Sequence, residues 1–166
     1  LQRQAEPMPW PKICEALVLQ YGDIQTHFRE IEERPFASAS MGQVHKAVTH
    51  EGETVVLKVQ YPGLAEVLES DLKQVRRIMG LGRWFKVPQA RLDALFEELA
   101  AGLRDELDYH AEALALARYR ERYQDNPALV IPEPLFELSG QHVLAMRFVD
   151  GTPLRDLESA DDATRQ

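Results

Sequence analysis

The chain has 166 residues, of which 45% are hydrophobic and 28% are charged, and its formal net charge is −8. This length and composition fit one globular domain with a core, and they exclude a disordered chain. The acidic balance argues against a nucleic-acid-binding protein, one cysteine excludes an internal disulfide, and no apolar run is long enough to span a membrane.

Helical segments open the chain. Apolar residues at helical spacing predict a helix over residues 11–21, which ends at Gly22. A second, short helix is predicted over residues 23–31, before Pro35. Residues 1–34 are therefore interpreted as an N-terminal helical extension.

A loop of small residues and a hairpin follow. Alanine, serine and glycine dominate residues 37–42, and β-branched residues predict strands over 44–48 and 54–60. Gly52 lies in the turn between the two strands, where a positive φ angle suits glycine. This hairpin predicts the start of a small antiparallel sheet.

Two long helical patterns separate this hairpin from two further strands. The helices are predicted over residues 65–79 and 91–123, with a bend near Gly102 as an open alternative. The strands are predicted over residues 135–138 and 142–148.

The order of elements predicts an α+β fold with helices inserted into an antiparallel sheet. Residues 35–151 would form the main domain, and residues 65–123 its helical insert. Residues 152–166, which open with a short helical pattern, would begin a linker.

The small-residue loop is the first feature that could carry chemistry. A backbone that approaches phosphates closely needs small side chains, and residues 37–42 satisfy that requirement. When the loop is considered alone, an ordinary flexible turn is the more common explanation of such a segment.

A lysine in an apolar strand is the second feature. Lys58 follows Val55, Val56 and Leu57, and strand alternation places it on one face with Val56 and Gln60. Such a lysine extends its ammonium to water, lies on an edge strand, or meets an anion.

An acidic run is the third feature. Asp108 and Glu112 are four residues apart, so a continuous helix would place them on one face, with Asp105 in the same stripe and Glu106 pointing elsewhere. One of these carboxylates could reach Lys58, and a solvated acidic helix face is the alternative. A small-residue loop, a strand lysine and a helix glutamate, in that order, are typical of a kinase site for ATP phosphates.

Four segments resemble the UbiB (AarF, ADCK) family of atypical kinases. Residues 35–47 are similar to its alanine-rich loop, and residues 55–63 to its strand-lysine motif. Residues 106–113 are similar to its Glu-x-Asp motif with the helix glutamate, and residues 143–151 to its hinge. The resemblance implies a protein-kinase-like N-lobe.

The resemblance also implies roles for individual residues. Lys58 would contact the nucleotide phosphates, Glu112 would pair with Lys58, and Glu106 and Asp108 would be an acidic pair near the metal. It implies no specific metal ligand among these residues. The loop over ATP and the hinge beside adenine would add Ala37, Ser38, Ala39, Ser40, Met41, Gly42 and Gln43, and Met146, Arg147, Phe148 and Val149.

The sequence departs from the family pattern at two positions and lacks several motifs. Ser38 replaces a usual alanine, and Arg147 replaces a usual hinge glutamate, which puts adenine contact by that side chain in doubt. The family's Lys-x-Gly-Gln, catalytic-loop and Asp-Phe-Gly motifs are absent from these 166 residues. We therefore expect the C-lobe of the same polypeptide to be missing and the fragment alone to be inactive.

The family implies ATP or ADP with Mg as cofactor and a role in ubiquinone or related lipid metabolism. Expected partners are the nucleotide, the missing C-lobe, and a lipid or quinone-biosynthesis proteins. The expected location is cytoplasmic, with peripheral contact to the inner membrane left open. The alternatives are a pseudokinase that senses nucleotide or lipid without turnover, and a structural docking module.

Overall fold

The computed structural model describes residues 7–80 and 88–152. The helices are α1 (Trp10–Tyr21), α2 (Leu64–Gly80), α3 (Gln89–Asp105) and α4 (Tyr109–Arg122). The strands are β1 (Phe28–Ile31), β2 (Ala37–Ala39), β3 (Gly42–Thr49), β4 (Thr54–Gln60) and β5 (Val143–Arg147). Short 3-10 turns cover Ile24–Thr26 and Phe136–Leu138. The predicted α+β class is confirmed.

The five strands form one antiparallel sheet. Its order is β1-β3-β4-β5, and β2 pairs with β3 beside this path. The predicted hairpin is confirmed as β3 and β4, and Gly52 in its turn has a φ of 85°. Because β4 lies between β3 and β5, Lys58 sits on an internal strand, where it opposes Val44 and Leu144. The edge-lysine alternative is therefore wrong.

One face of the sheet is covered by α1. Leu57 and Val59 of β4 pack against Ile13 and Leu17 of the helix, and all four side chains are fully buried. Burying each such side chain stabilises the fold by roughly 1.5–3 kcal/mol relative to leaving it exposed. This contact is the main core of the domain.

The other face is partly covered by α4. Tyr109 and Ala113 of the helix pack against Leu144 of β5, with Met146 at the margin. Lys58 points to this face, where it meets α4. Helices α2 and α3 pack mainly on each other, through a separate cluster of Leu72, Phe96 and Ala100.

The helix predicted over residues 23–31 is wrong. Asp23 caps a short 3-10 turn, and the chain then enters β1, which pairs with β3. The edge of the sheet offers hydrogen-bond partners, and Phe28 becomes buried there. Tertiary pairing therefore overrides a weak local helical preference, and the sheet recruits a strand from within residues 1–34.

The strand predicted over residues 135–138 is also wrong. Only an isolated bridge joins Pro134 to Met146, and the chain then turns through Phe136–Leu138. On either side of this bridge, the Leu135 amide donates to the Ala145 carbonyl and the Arg147 amide donates to the Glu133 carbonyl. The hydroxyl of Ser139 donates to the Leu135 carbonyl and accepts from the Ala145 amide, so it substitutes for strand pairing.

The long helical pattern of residues 91–123 contains two helices. The break falls between Asp105 and Tyr109, and not at Gly102, which lies inside α3. Asp108 ends the break because its side chain accepts a hydrogen bond from the Ala111 amide as the N-cap of α4. The short helical segment predicted after residue 151 lies largely outside the described residues.

Candidate active site

An ion pair between Lys58 and Glu112 forms the centre of the site. The Lys58 Nζ lies 2.8 Å from one carboxylate oxygen of Glu112 and 2.7 Å from the other. The lysine side chain is 17% exposed and the glutamate 40% exposed, so both remain accessible to a ligand. The predicted pairing of these two residues is confirmed.

Tyr109, in the first turn of α4, forms the floor beneath the lysine. Its side chain is fully buried, and the Lys58 Nζ lies 4.5 Å from the centre of its ring. A cation over an aromatic face is attracted by the negative face of the ring. The ammonium of Lys58 is therefore held by a carboxylate on one side and an aromatic ring on the other.

An open cleft of about 630 Å³ lies beside the ion pair, and Asp105, Glu106 and Arg118 contribute to its walls together with Lys58 and Glu112. Glu106, the C-cap of α3, therefore lies in the cleft of the lysine. Within residues 7–80 and 88–152, no cluster of three or more acidic, histidine or cysteine side chains could hold a metal ion.

Asp108 has a different position from the one predicted. Its carboxylate accepts a hydrogen bond of 2.9 Å from the Ala111 amide, so it precedes α4 rather than lying on a helical face with Glu112. Asp105 belongs to α3. The continuous stripe of Asp105, Asp108 and Glu112 is therefore wrong, because the helix breaks between its members.

Gln60, which was not predicted as a site residue, fixes this break to the sheet. Its amide nitrogen donates to the Leu107 carbonyl at 3.0 Å, and its amide oxygen lies 2.8 Å from the His142 Nδ1. The sequence feature that could have identified Gln60 is its spacing in the strand, two residues from Lys58 and on the same face. Gln60 thereby positions the junction that carries Glu106 and Asp108.

The small-residue loop is a tight hairpin rather than an irregular loop. Ala37, Ser38 and Ala39 pair with β3, and Ser40 and Met41 form the turn. Position 42 requires glycine, because a β-carbon there would lie 2.1 Å from the carbonyl oxygen of Val59. The small residues thus permit close packing of the turn on β4.

Gln43 directs its side chain to the α1 face, away from Lys58. Its amide accepts from the Met8 N–H at 3.0 Å and donates to the Met8 carbonyl at 3.3 Å. Its Nε2 also lies 2.9 Å from the Nε2 of His45. This buried side chain anchors the N-terminal segment, and only its backbone belongs to the loop.

Burial lowers the pKa of His45, and the effect is partly opposed by the hydrogen bond to the Glu32 carbonyl and by the charge of Glu32. The His45 Nδ1 lies 2.8 Å from that carbonyl. Since the Gln43 amide nitrogen is the donor toward Nε2, the proton of the neutral ring resides on Nδ1. The ring also lies 5.2 Å from that of Trp10.

Residues 146–149, the predicted hinge, form ion pairs and hydrogen bonds with neighbouring residues of the chain. The Arg147 guanidinium pairs with Glu53 and, at 2.9 Å, with Glu133. The Arg147 amide donates to the Glu133 carbonyl, and the Phe148 amide donates to the Thr54 carbonyl. Arg147 therefore stabilises the hinge through two carboxylates.

An aromatic contact crosses the sheet near the hinge. The rings of Phe36 and Phe148 meet edge to face at 5.7 Å, and the Lys46 ammonium lies 4.0 Å from the centre of the Phe148 ring. Met146 packs beside Leu144 and α4, and Val149 is half-exposed. The contact between Phe36 and Phe148 thus links the start of the small-residue loop to the predicted hinge.

Comparison with known proteins identifies the family. The family model for the ABC1 atypical kinase-like domain matches residues 1–166. The chain belongs to this family. Its sheet, its strand lysine and its helix glutamate agree with a kinase-like N-lobe, and the recognition based on sequence motifs is confirmed.

Two relatives show what share of a related protein this chain matches. The chain is 36% identical over 156 residues to the mitochondrial atypical kinase coq-8 of Caenorhabditis elegans. This match covers 93% of the chain and 20% of that protein. The chain is 34% identical over 164 residues to the probable protein kinase UbiB of Photobacterium profundum, covering 96% of this chain and 30% of that one. The chain thus spans less than a third of either relative.

A solved structure has the same fold. The complex of Rv3197 with erythromycin from Mycobacterium tuberculosis superposes with a TM-score of 0.81 at 31% identity. The match covers 96% of this chain and 41% of that one. Within residues 7–80 and 88–152, no helix has both the length and the apolar character that crossing a membrane requires.

Proposed function

We propose that this chain is the ATP-binding portion of a UbiB-type atypical kinase or ATPase that supports ubiquinone or related lipid metabolism. The observation that carries the proposal is the ion pair of Lys58 with Glu112 on an internal strand. A buried lysine needs an anionic partner. A partner that leaves the ammonium beside an open cleft keeps it available to a phosphate.

In this proposal, a nucleotide would place its phosphates beside Lys58 at the cleft. Lys58 would neutralise phosphate charge, and Glu112 would orient the lysine. The turn at Ser40 and Met41 would cover the phosphates, and the hinge from Met146 to Val149 would border the adenine. Bound ATP with Mg would supply the transferable phosphoryl group.

Two carboxylates are available for the cation of such a nucleotide. Asp105 and Glu106 both line the cleft, whereas the two Glu112 oxygens bind the Lys58 ammonium and the Asp108 carboxylate accepts a hydrogen bond from the Ala111 amide. Magnesium needs oxygen ligands in near-octahedral geometry and usually retains waters and phosphate oxygens. We propose that residues 1–166 form only part of the nucleotide site and transfer no phosphoryl group without a C-lobe.

The proposal is tested by nucleotide affinity in the full-length protein. Replacing Lys58 with Ala removes a charge-assisted hydrogen bond, worth roughly 1.5–3 kcal/mol, so Kd for Mg-ADP should rise about 10- to 100-fold. Isothermal titration calorimetry measures this change. Lys73→Ala, at an exposed position of α2, is the matched control and should bind like the parent. Equal affinity of the Lys58→Ala and parent proteins for Mg-ADP would contradict the proposal.

A second candidate is a pseudokinase that senses nucleotide or lipid without turnover. The use of Asp108 as a helix cap favours it, because that carboxylate is then less free for a metal. Saturable Mg-ADP binding by the full-length protein, with no ADP release from ATP over many enzyme equivalents, would support this alternative. For either candidate we propose a cytoplasmic location with contact at the inner membrane surface, which co-sedimentation with anionic liposomes would test.

A further inference from the structure

The hydroxyl of Tyr109 has no hydrogen-bond partner, although it is fully buried. Among residues 7–80 and 88–152, it is the one buried side-chain nitrogen or oxygen without such a partner. Leaving a buried polar group unpaired is costly, and native proteins do so in few places. A phenylalanine would fill the same space without that cost, so the hydroxyl calls for an explanation.

The hydroxyl lies where the turn and the lysine meet. A β-carbon at Gly42 would be 3.0 Å from it, so the hydroxyl borders the end of the turn formed by Ser40 and Met41. The same ring lies 4.5 Å below the Lys58 ammonium. Tyr109 therefore touches both the turn expected to cover the phosphates and the lysine expected to bind them.

The hydroxyl keeps its proton. Burial raises the pKa of Tyr109 above its ordinary value, and the nearby charges of Glu112, Glu106 and Tyr61 act in the same direction. The group is therefore a hydrogen-bond donor, and an anionic oxygen is the acceptor that suits it best.

We propose that Tyr109 is a further nucleotide-binding residue, whose hydroxyl donates to a phosphate oxygen when the turn at Ser40 and Met41 shifts to admit the phosphates. A phosphate group bound to the Lys58 ammonium would offer a further oxygen to this hydroxyl, since the ammonium lies 4.5 Å from the centre of the same ring. The inference rests on the proposed function, and it explains why a donor is kept buried in the absence of an acceptor.

Tyr109→Phe removes the hydroxyl and keeps the ring. In the full-length protein, we expect its melting temperature without nucleotide to equal or exceed that of the parent, because no hydrogen bond is lost. Its Kd for Mg-ADP should rise about 10-fold, the effect of one hydrogen bond to a charged acceptor. Its Kd for adenosine, which has no phosphate, should not change. Calorimetric titration with both ligands measures these values.

Tyr119→Phe is the matched control, because it removes an exposed hydroxyl from the same helix and should leave both affinities unchanged. Unchanged Mg-ADP affinity of Tyr109→Phe would overturn the inference, and so would an equal loss for ADP and adenosine. If Lys58→Ala weakens Mg-ADP binding and Tyr109→Phe does not, this inference alone fails. If neither variant changes Mg-ADP binding, the proposed function fails with it.

Discussion

The two faces of β4 serve different purposes. Toward α1, the strand presents Val55, Leu57 and Val59, which are fully buried in an apolar core. Toward α4, it presents Lys58 and Gln60, which bind a carboxylate and a backbone carbonyl. Because neighbouring residues of a strand point to opposite faces, adjacent positions can be changed to affect stability or ligand binding separately.

Polar groups on the two faces also differ in how fully they are paired. On the α1 face, Gln43 and His45 are fully buried, and their hydrogen bonds connect them to Met8 and Glu32. On the α4 face, the Tyr109 hydroxyl is unpaired and the Lys58 pair borders an open cleft. The paired groups on the α1 face stabilise the fold, whereas the groups on the α4 face can still bind a ligand.

The largest effect on stability is expected at Leu57. Leu57→Ala leaves a cavity in the α1 core, and we expect a loss of about 2–5 kcal/mol in the free energy of unfolding. Urea unfolding followed by circular dichroism measures it. Leu19→Ala is the matched control, because Leu19 is 84% exposed on α1 and its truncation should change stability by less than about 0.5 kcal/mol. Similar losses for the two variants would contradict the assignment of the core.

An intermediate effect is expected at Gln60. Gln60→Leu keeps the approximate size of the side chain and removes its bonds to the Leu107 carbonyl and His142, which should cost about 1–3 kcal/mol. Amide hydrogen exchange should also accelerate at the start of α4. Gln74→Leu, on the exposed face of α2, is the control. Unaltered exchange at residues 109–111 would show that Gln60 does not hold the helix break.

The smallest effect is a pH dependence at His45. Burial lowers its pKa in the folded state from the ordinary value of 6.5. The neutral ring is therefore favoured by folding, and its stabilisation is present above pH 6.5 and is lost as the pH falls toward the folded-state pKa. Protonation would place a second N–H against the Gln43 amide nitrogen.

Thermal melts of the protein between pH 7.5 and about 5 test this dependence. His45→Phe should be less stable at neutral pH and should lose part of the decline on acidification, whereas His50→Asn, at an exposed position, should retain it. An identical decline in the parent and His45→Phe proteins would assign the pH dependence to other groups.

Strong local patterns were sufficient to predict part of the fold and of the site. The first helix and the β3–β4 hairpin with Gly52 in its turn are confirmed. The pairing of Lys58 with Glu112, which the family resemblance implied, is confirmed as well. These features depend on spacing within one segment or on a motif with several matching residues. The roles of the loop and hinge residues in nucleotide binding stay predictions.

The errors lie where long-range partners decide the backbone. Phe28 enters a strand because β3 offers an edge, and the Ser139 hydroxyl binds the Ala145 amide that would otherwise extend the bridge at Pro134. The helix break falls beyond Gly102, where Asp108 caps α4 and Gln60 holds the Leu107 carbonyl. Apart from the Asp108 cap, which lies three residues from Ala111, these partners are distant in the sequence, so local patterns could not predict them.

The sequence by itself determined that a lysine occupies an apolar strand and that a dense acidic segment follows it, since both are written in local order. Local patterns left open which carboxylate reaches the lysine, the family motif indicated Glu112, and only the tertiary structure shows why. Asp105, Glu106, Asp108 and Glu112 lie within eight residues, and the choice depends on where the helix breaks and how α4 packs on β5. The break turns Asp108 into a cap and places Glu112 one turn into α4, opposite Lys58.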